Sequence, residues 1–405
     1  MTLTQCIISQ IGARENFAIP AVFQKNGLLK HLYTDVWVKP GVITAYLPDI
    51  IQSRYTHKLE NACVTAFNLS EFFFELNQSV RKSGSWSRIY NRNLWFQDKV
   101  VNSRQFLDDI NQAGNKPVVF SYSYGALEIF KIAKEKGCKT VLGQIDAGKY
   151  EEDLVADAVN TCRELSPVWS RAPKEYWDDW YQECDLADRI IVNSQWSFDA
   201  LVNVGVDGTK ISVIPLMLDR SQKTIPLKKY PYEFTHERPL RVLFLGSLIV
   251  RKGIVPLLYA VQEMQDLPVE FWFIGFNGVT LNREMQDNRK IHWIGPVSRT
   301  NTEQYYRKCD VFIFPTLSDG FGMTQLEAMN NGLPVIASGN CGDVVINNIN
   351  GIRLEEVNTE NIFNALEICI NNPMQLEKWS GNTQMRVDDY LPDRVFPSFK
   401  NVVLK

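Results

Sequence analysis

One stretch constrains this chain more than any other: Phe314 to Ser338, FPTLSDGFGMTQLEAMNNGLPVIAS. It reads as strand, glycine loop, helix, turn and strand. An apolar run over 311–314 stops at Pro315, which has no N–H to give a ladder. Residues 318–322 form a loop whose Gly320 and Gly322 permit positive φ and close approach to a ligand. Good helix formers fill 324–331, Gly332 stands where a helix ends, and 333–337 is a short buried strand. A glycine loop opening a helix places free N–H groups and a positive dipole end toward an anion. Two carboxylates, Asp319 and Glu327, bracket that place.

The rest of the chain repeats this alternation. Strands are expected at 3–9, 31–36, 118–121, 139–145, 189–193 and 211–214, and again at 241–245, 269–274 and 291–294. Helices are expected at 126–136, 174–187, 254–264, 302–308 and 359–371, with Ser194 as an N-cap. Between the two sets, 215–238 is rich in proline and lysine and reads as a linker. With 405 residues, two domains are expected. The fold class is therefore α/β: two Rossmann-like, doubly wound parallel sheets facing across a cleft, with ligands at the strand ends. The loop after the first strand, with Gly12, is not G-x-G-x-x-G, which argues against an NAD-dependent oxidoreductase.

Composition excludes several classes. A net charge of −3 does not suit nucleic-acid binding by bulk electrostatics. No apolar run is long enough to span a bilayer, and the first residues lack the pattern of a signal peptide. Eight cysteines without C-x-x-C read as reduced core thiols of a cytoplasmic protein. One segment is ambiguous. Over 81–99, Arg81, Lys82, Arg88, Arg92 and Lys99 face the single acid Asp98, with Trp86, Tyr90, Trp95 and Phe96 interleaved. It suits peripheral contact with a membrane surface, or a grip on an anionic acceptor, or an amphipathic helix that covers the core and leaves a solvated basic face.

In the second half, three loops are expected to converge: 246–253, 295–297 and 319–323. The first offers Arg251 and Lys252 opposite the amino end of the helix, a combination suited to a diphosphate. Asp319 and Glu327 are separated by roughly 10–12 Å at about 1.5 Å per helical residue. A hydrolytic carboxylate pair needs about 5–9.5 Å. The spacing fits a long ligand held at two points.

Taken together, Asp319-Gly320-Phe321-Gly322, Leu326-Glu327-Ala328-Met329 and Gly332-Leu333-Pro334-Val335 resemble the signature of retaining glycosyltransferases of the GT-B fold, family 4 type. Phe244-Leu245-Gly246 with Lys252-Gly253, Gly339 to Asp343, Asn350-Gly351, Ala187-Asp188 and 190–194 extend the likeness. The resemblance implies a metal-independent, front-face transfer of a hexose from a UDP- or GDP-linked donor, which is a substrate; no cofactor and no metal are expected, and no D-x-D occurs. It implies that Glu327 binds the ribose, Lys252 the diphosphate, and Asp319 the donor sugar in place of the family's Glu. Ser247 stands where the family carries Arg, and Arg251 supplies that charge. Gly246, Gly320 and Phe321, with the backbone of Gly322, Met323 and Thr324, complete the donor contacts, and Val297 lies beside the base. Gly12 and Asp146 fall on the acceptor side, where Gln144-Ile145-Asp146 lacks the family's His. The acceptor is a sugar, a lipid-linked or a small molecule; nucleic acid is not a partner. The implied domains are 1–214, completed by a last helix at about 385–405, and 239–384. The replacements at Asp319 and Ser247 and the missing His motivate an alternative, a non-catalytic nucleotide-sugar-binding GT-B protein.

Overall fold

In the computed structural model, residues 4–41, 51, 53–80, 84–112, 114–166, 168–220 and 227–404 are described. Two parallel sheets form the frame. The first holds β1 (Cys6–Gln10), β2 (Leu29–Thr34), β3 (Val64–Ala66), β4 (Val118–Tyr122), β5 (Lys139–Gly143), β6 (Arg189–Val192) and β7 (Ile211–Val213) in the order β3-β2-β1-β4-β5-β6-β7. The second holds β8 (Leu240–Leu245), β9 (Val269–Ile274), β10 (Ile291–Gly295), β11 (Val311–Phe314), β12 (Val335–Ser338) and β13 (Gly351–Leu354) in the order β10-β9-β8-β11-β12-β13. In both, the order reverses beside the first strand of the domain, which opens a crevice at the carboxyl ends. This is the GT-B architecture. The strands are apolar runs because both faces are covered by helices; Val311, Phe312 and Ile313 are all fully buried.

Most expected strands and helices are present, with ends shifted by up to three residues. Ser194 caps its helix by accepting the Ser197 N–H at 3.1 Å. β3 and β13 are additional. The described part of the proline-rich stretch is held by both domains: Met217 packs in the core of the first and Asp219 pairs with Lys58, while Lys228 donates to the Arg307 carbonyl at 2.8 Å and the Tyr230 hydroxyl to that of Asp310 at 2.8 Å. The helix Pro392–Leu404 lies on the first sheet, with the Phe396 and Phe399 rings 5.3 and 5.9 Å from that of Phe23.

The segment 81–99 differs from a free basic face. Arg81 and Lys82 lie outside the described residues. The helix Ser85–Val101 buries Asn93, Phe96, Gln97 and Val100. Arg88 pairs with Glu75, and Arg92 with Asp35 and Glu71. Asp35 is fully buried and is balanced by Arg92 and Arg54. The Phe72-Phe73-Phe74 segment is a helix, Asn68–Val80, on which Leu69, Phe72, Phe73 and Leu76 form an exposed apolar stripe at helical spacing. Among the described residues no helix is long and apolar enough to cross a membrane. All eight cysteines are free, and seven are buried.

Candidate active site

The loop after β8 ends in a short turn, Val250–Lys252, closed by Gly253 at φ +69°. A Cβ at Gly253 would lie 1.7 Å from the Pro315 carbonyl oxygen, so only glycine lets this loop rest on the end of β11. That contact brings the two loops' charges together. Arg251 Nη1 donates to the Ser318 carbonyl at 2.9 Å and lies 3.6 Å from Asp319 Oδ2. The Lys252 ammonium pairs with the same carboxylate and sits 4.8 Å from the centre of the Phe314 ring. Burial alone would raise the Asp319 carboxyl; Lys252 and Arg251 outweigh it and hold it below the usual range. Asp319 is thus the counter-ion of the two cations.

The helix Met323–Asn330 starts at Gly322 with φ +82°. Met323 and Thr324 open its first turn, where N–H groups have no intrahelical acceptor. Glu327 projects from the next turn, where Oε1 accepts from Arg299 at 3.1 Å and Oε2 from the Tyr306 hydroxyl at 3.1 Å. Its side chain is 22% exposed, enough to meet a ligand while its rotamer is fixed by two donors. Gly246 and the exposed Ser247 lie at the end of β8, and the partly buried Val297 just after β10. Phe321 departs from the expected donor contacts. Its ring is 2% exposed and packs at 5.8 Å from Tyr390, because the apolar side chain gains more from the core than from the cleft.

The same loop reaches the first domain. A Cβ on Gly320 would stand 2.1 Å from the Ile145 carbonyl oxygen. Ser318 Oγ donates to Glu151 Oε2 at 2.7 Å and accepts from Trp196 Nε1 at 2.9 Å. Glu151 Oε1 lies 3.5 Å from Arg251 Nε. Burial pushes the Glu151 carboxyl up to about 7, against the pull of Arg251. Substituting Gly320→Ala is expected to weaken nucleoside diphosphate binding at least about tenfold, since one added methyl must move a backbone that closes the cleft. Calorimetric titration measures it, and unchanged affinity would separate this contact from the site.

Across the cleft, Asp146 Oδ1 accepts from the Tyr124 hydroxyl at 2.5 Å, Gln144 Nε2 at 2.9 Å and the Gly148 N–H at 3.0 Å. The Gly12 N–H donates to Asp35 Oδ1 at 2.9 Å. Beyond Gly12, Glu15, Asn16 and Phe17 take φ of 49°, 53° and 61°. Left-handed backbone costs a non-glycine residue about 1–3 kcal/mol. The turn aims Asn16 at Arg299 of the other domain and buries the Glu15 carboxyl beneath Tyr122, whose hydroxyl donates to it at 3.1 Å. Burial pushes Glu15 up to about 7. A carboxyl raised by folding contributes its full stability below the ordinary carboxylate range, and that contribution is lost as pH rises through about 7. Glu15→Gln is therefore expected to melt with the wild type near pH 4 and several degrees above it at pH 8. Parallel melting curves at both pH values would contradict the assignment.

Sequence reasoning missed Glu151, Trp196, Ser318, Arg299 and Tyr306. Glu151 and Ser318 are 167 residues apart, and no local pattern announces their contact.

Residues 239–372 match the family described as "Glycosyl transferases group 1". An uncharacterized glycosyltransferase of Methanocaldococcus jannaschii is 31% identical over 136 residues, 32% of this chain and 38% of the relative. The chain thus matches well under two thirds of that relative's length, and 51% of another curated relative's. Solved structures align over the whole chain. HepE of Anabaena in complex with UDP has a TM-score of 0.59 at 15% identity, covering 98% of this chain and 99% of that one. TarM, a protein of S. aureus, has a TM-score of 0.64 at 11% identity, covering 99% of both. At these identities the structures establish the GT-B fold.

Proposed function

We propose that this protein is a glycosyltransferase that moves a hexose from a UDP- or GDP-linked donor to an acceptor hydroxyl, with retention and without a metal ion. One observation carries this: Arg251 and Lys252 stand beside the amino end of the helix Met323–Asn330, and Glu327 stands one turn further along it. The cations and the first-turn N–H groups of Met323 and Thr324 take the diphosphate. Glu327 takes the ribose hydroxyls, Val297 lies beside the base, and the open backbone at Gly246, Ser247 and Gly320 meets phosphate and sugar. The incoming diphosphate competes with Asp319 for Lys252, which frees the Asp319 carboxylate for the donor sugar.

In the reaction the bond from the sugar's anomeric carbon to the phosphate oxygen breaks, and its electron pair leaves with the phosphate. The acceptor oxygen bonds to that carbon on the same face, and its proton passes to the departing phosphate oxygen. Lys252, Arg251 and the helix dipole offset the charge that develops there, usually the largest catalytic contribution. The match over 239–372 and the likeness to a UDP-bound structure support this class of reaction. Free thiols support a cytoplasmic setting. Peripheral membrane contact, if part of this function, falls on the stripe of Leu69, Phe72, Phe73 and Leu76. Sedimentation with lipid vesicles, wild type against Phe72→Ser/Phe73→Ser, tests that, and equal sedimentation removes it.

A second reading, a non-catalytic nucleotide-sugar binder, is favoured by Asp319 at the position of the longer acid, by Ser247 and by the missing His where the strand ends in Gln144-Ile145-Asp146. Titration with UDP and GDP, followed by assay of diphosphate release from a sugar donor, separates the two. Binding with transfer supports the first; binding with neither release nor transfer selects the second.

A further inference from the structure

Two cavities meet at Asp146, and their linings differ in kind. The smaller, about 330 Å³, lies within the first domain at the ends of β1 and β4. Three of its lining residues carry a buried polar atom with no partner among the described residues: Ser9 Oγ, Gln10 Oε1 and Arg92 Nε. Ser9 and Gln10 are 0% and 1% exposed. A buried polar atom left unpaired costs about 1–3 kcal/mol. Three such atoms around one cavity mark a place built for a polar molecule. Gln10 is held in position because its own Nε2 donates to the Gly12 carbonyl at 2.8 Å. Arg92 is fixed by Asp35 at 2.5 Å and Glu71 at 3.3 Å.

The larger cavity, about 800 Å³, lies between the domains. Its walls are mostly apolar and aromatic. Trp169, Trp177, Val155 and Val168 come from the first domain, and Phe276 and Val279 from the second. Trp86, Ile89, Tyr124, Asp146 and Tyr176 line both cavities. The rings form a rigid partition: Tyr124 stacks on Tyr176 at 4.8 Å, and Trp86 meets Tyr176 edge-on at 5.3 Å. Asp146 stands at the junction, and its neighbour Ile145 touches Gly320 of the donor loop.

We infer that the acceptor is an amphiphile: a hydroxylated head about the size of one sugar ring seated among Ser9, Gln10 and Arg92, joined to an apolar or aromatic portion in the cavity walled by Trp169, Trp177, Phe276 and Val279. The hydroxyl that reacts lies at Asp146, between the two. This rests on the transferase reading above, and it adds the chemical class of the acceptor. The donor's diphosphate accounts for the Arg251 side of the larger cavity; a wholly polar acceptor leaves its apolar wall at Trp169, Trp177, Phe276 and Val279 without a partner, and a wholly apolar one leaves the three buried polar atoms unpaired.

The test uses paired probes with the same head, the methyl and n-octyl β-glycosides of glucose, galactose and N-acetylglucosamine, below the micelle concentration. Binding is read from the fluorescence of the tryptophans that line the larger cavity. At least one octyl glycoside is expected to bind at least about tenfold more tightly than its methyl partner, the effect of burying a few methylene groups. That preference is expected to shrink in Phe276→Ser and Val168→Asp; both positions are exposed, at 64% and 88%, so the fold is spared. The same variants are expected to bind UDP or GDP as the wild type does. Equal binding of the octyl and methyl partners, or a preference that both variants retain, overturns the inference. A wild type that binds the octyl probe but neither diphosphate overturns the donor assignment and leaves the cavity assignment standing.

Discussion

Lys252→Ala is expected to lower the rate of sugar transfer by about 10²- to 10³-fold, the loss seen when one pre-organised charge is removed from a developing anion. The Lys252 side chain is 16% exposed and pairs with Asp319. Its removal leaves that carboxylate with Arg251, 3.6 Å away, as its one cation among the described residues. Two effects follow. The diphosphate loses its nearest cation in the ground state and in the transition state, and Asp319 is no longer held. Lys252→Arg keeps the charge but changes the reach, and should fall between the wild type and Ala. The far-ultraviolet circular dichroism of both variants should match the wild type, because the loop rests on Gly253 against Pro315 and not on the ammonium. A transfer rate for Lys252→Ala within about twofold of wild type, well short of the loss expected for a charge at the leaving group, would place the diphosphate elsewhere.

Glu327→Ala is expected to weaken UDP or GDP by about 10- to 100-fold, the range of one or two hydrogen bonds to a charged group. The loss should appear mainly as a higher KM for the donor, since the ribose is held alike before and during the reaction. The substitution also leaves the Tyr306 hydroxyl and one arm of Arg299 without their acceptor. Tyr306 is 1% exposed, so a modest drop in melting temperature should accompany the loss of affinity. Glu327→Gln retains an acceptor for Tyr306 and should restore stability more than it restores binding. A kcat effect with no change in donor KM would move Glu327 from the ribose to the reacting centre.

The donor wall was legible in the sequence because it is local. Pro315, Gly320, Gly322 and Gly332 punctuate a strand, a loop and a helix within 25 residues, and each has a conformational reason to be where it is. Strands such as β9 and β11 were legible as short apolar runs between turn signals. β3 was not: Val64, Thr65 and Ala66 are three half-buried residues at a sheet edge, too short to show a period. β13 was not legible either: it begins at Gly351, directly after a turn, and its four residues are too few to show a period. The basic segment 81–99 was legible as a helix-forming stretch but not in its charge balance. The acids that neutralise Arg88 and Arg92 are Asp35, Glu71 and Glu75, outside the segment. The cross-cleft contacts were hidden for the same reason: Ser318 with Glu151, Gly320 with Ile145 and Arg299 with Asn16 join positions that only the docking of two domains brings together.

The first domain carries a left-handed turn and a polar cavity. Its left-handed turn at Glu15–Phe17 and the three unpaired atoms at Ser9, Gln10 and Arg92 lie on the same side of the cleft as Asp146. On the proposed function they fall in the acceptor's half of the reaction.

The central claim is that Lys252, Arg251 and Glu327 hold a nucleotide-linked sugar for transfer. The most direct measurement is release of nucleoside diphosphate together with transfer of isotopically labelled sugar, across a panel of UDP- and GDP-linked donors, in the wild type and in Lys252→Ala and Glu327→Ala. One donor is expected to turn over with the wild type and to be lost in both variants while their circular dichroism is unchanged; near-wild-type transfer in both variants would contradict the account.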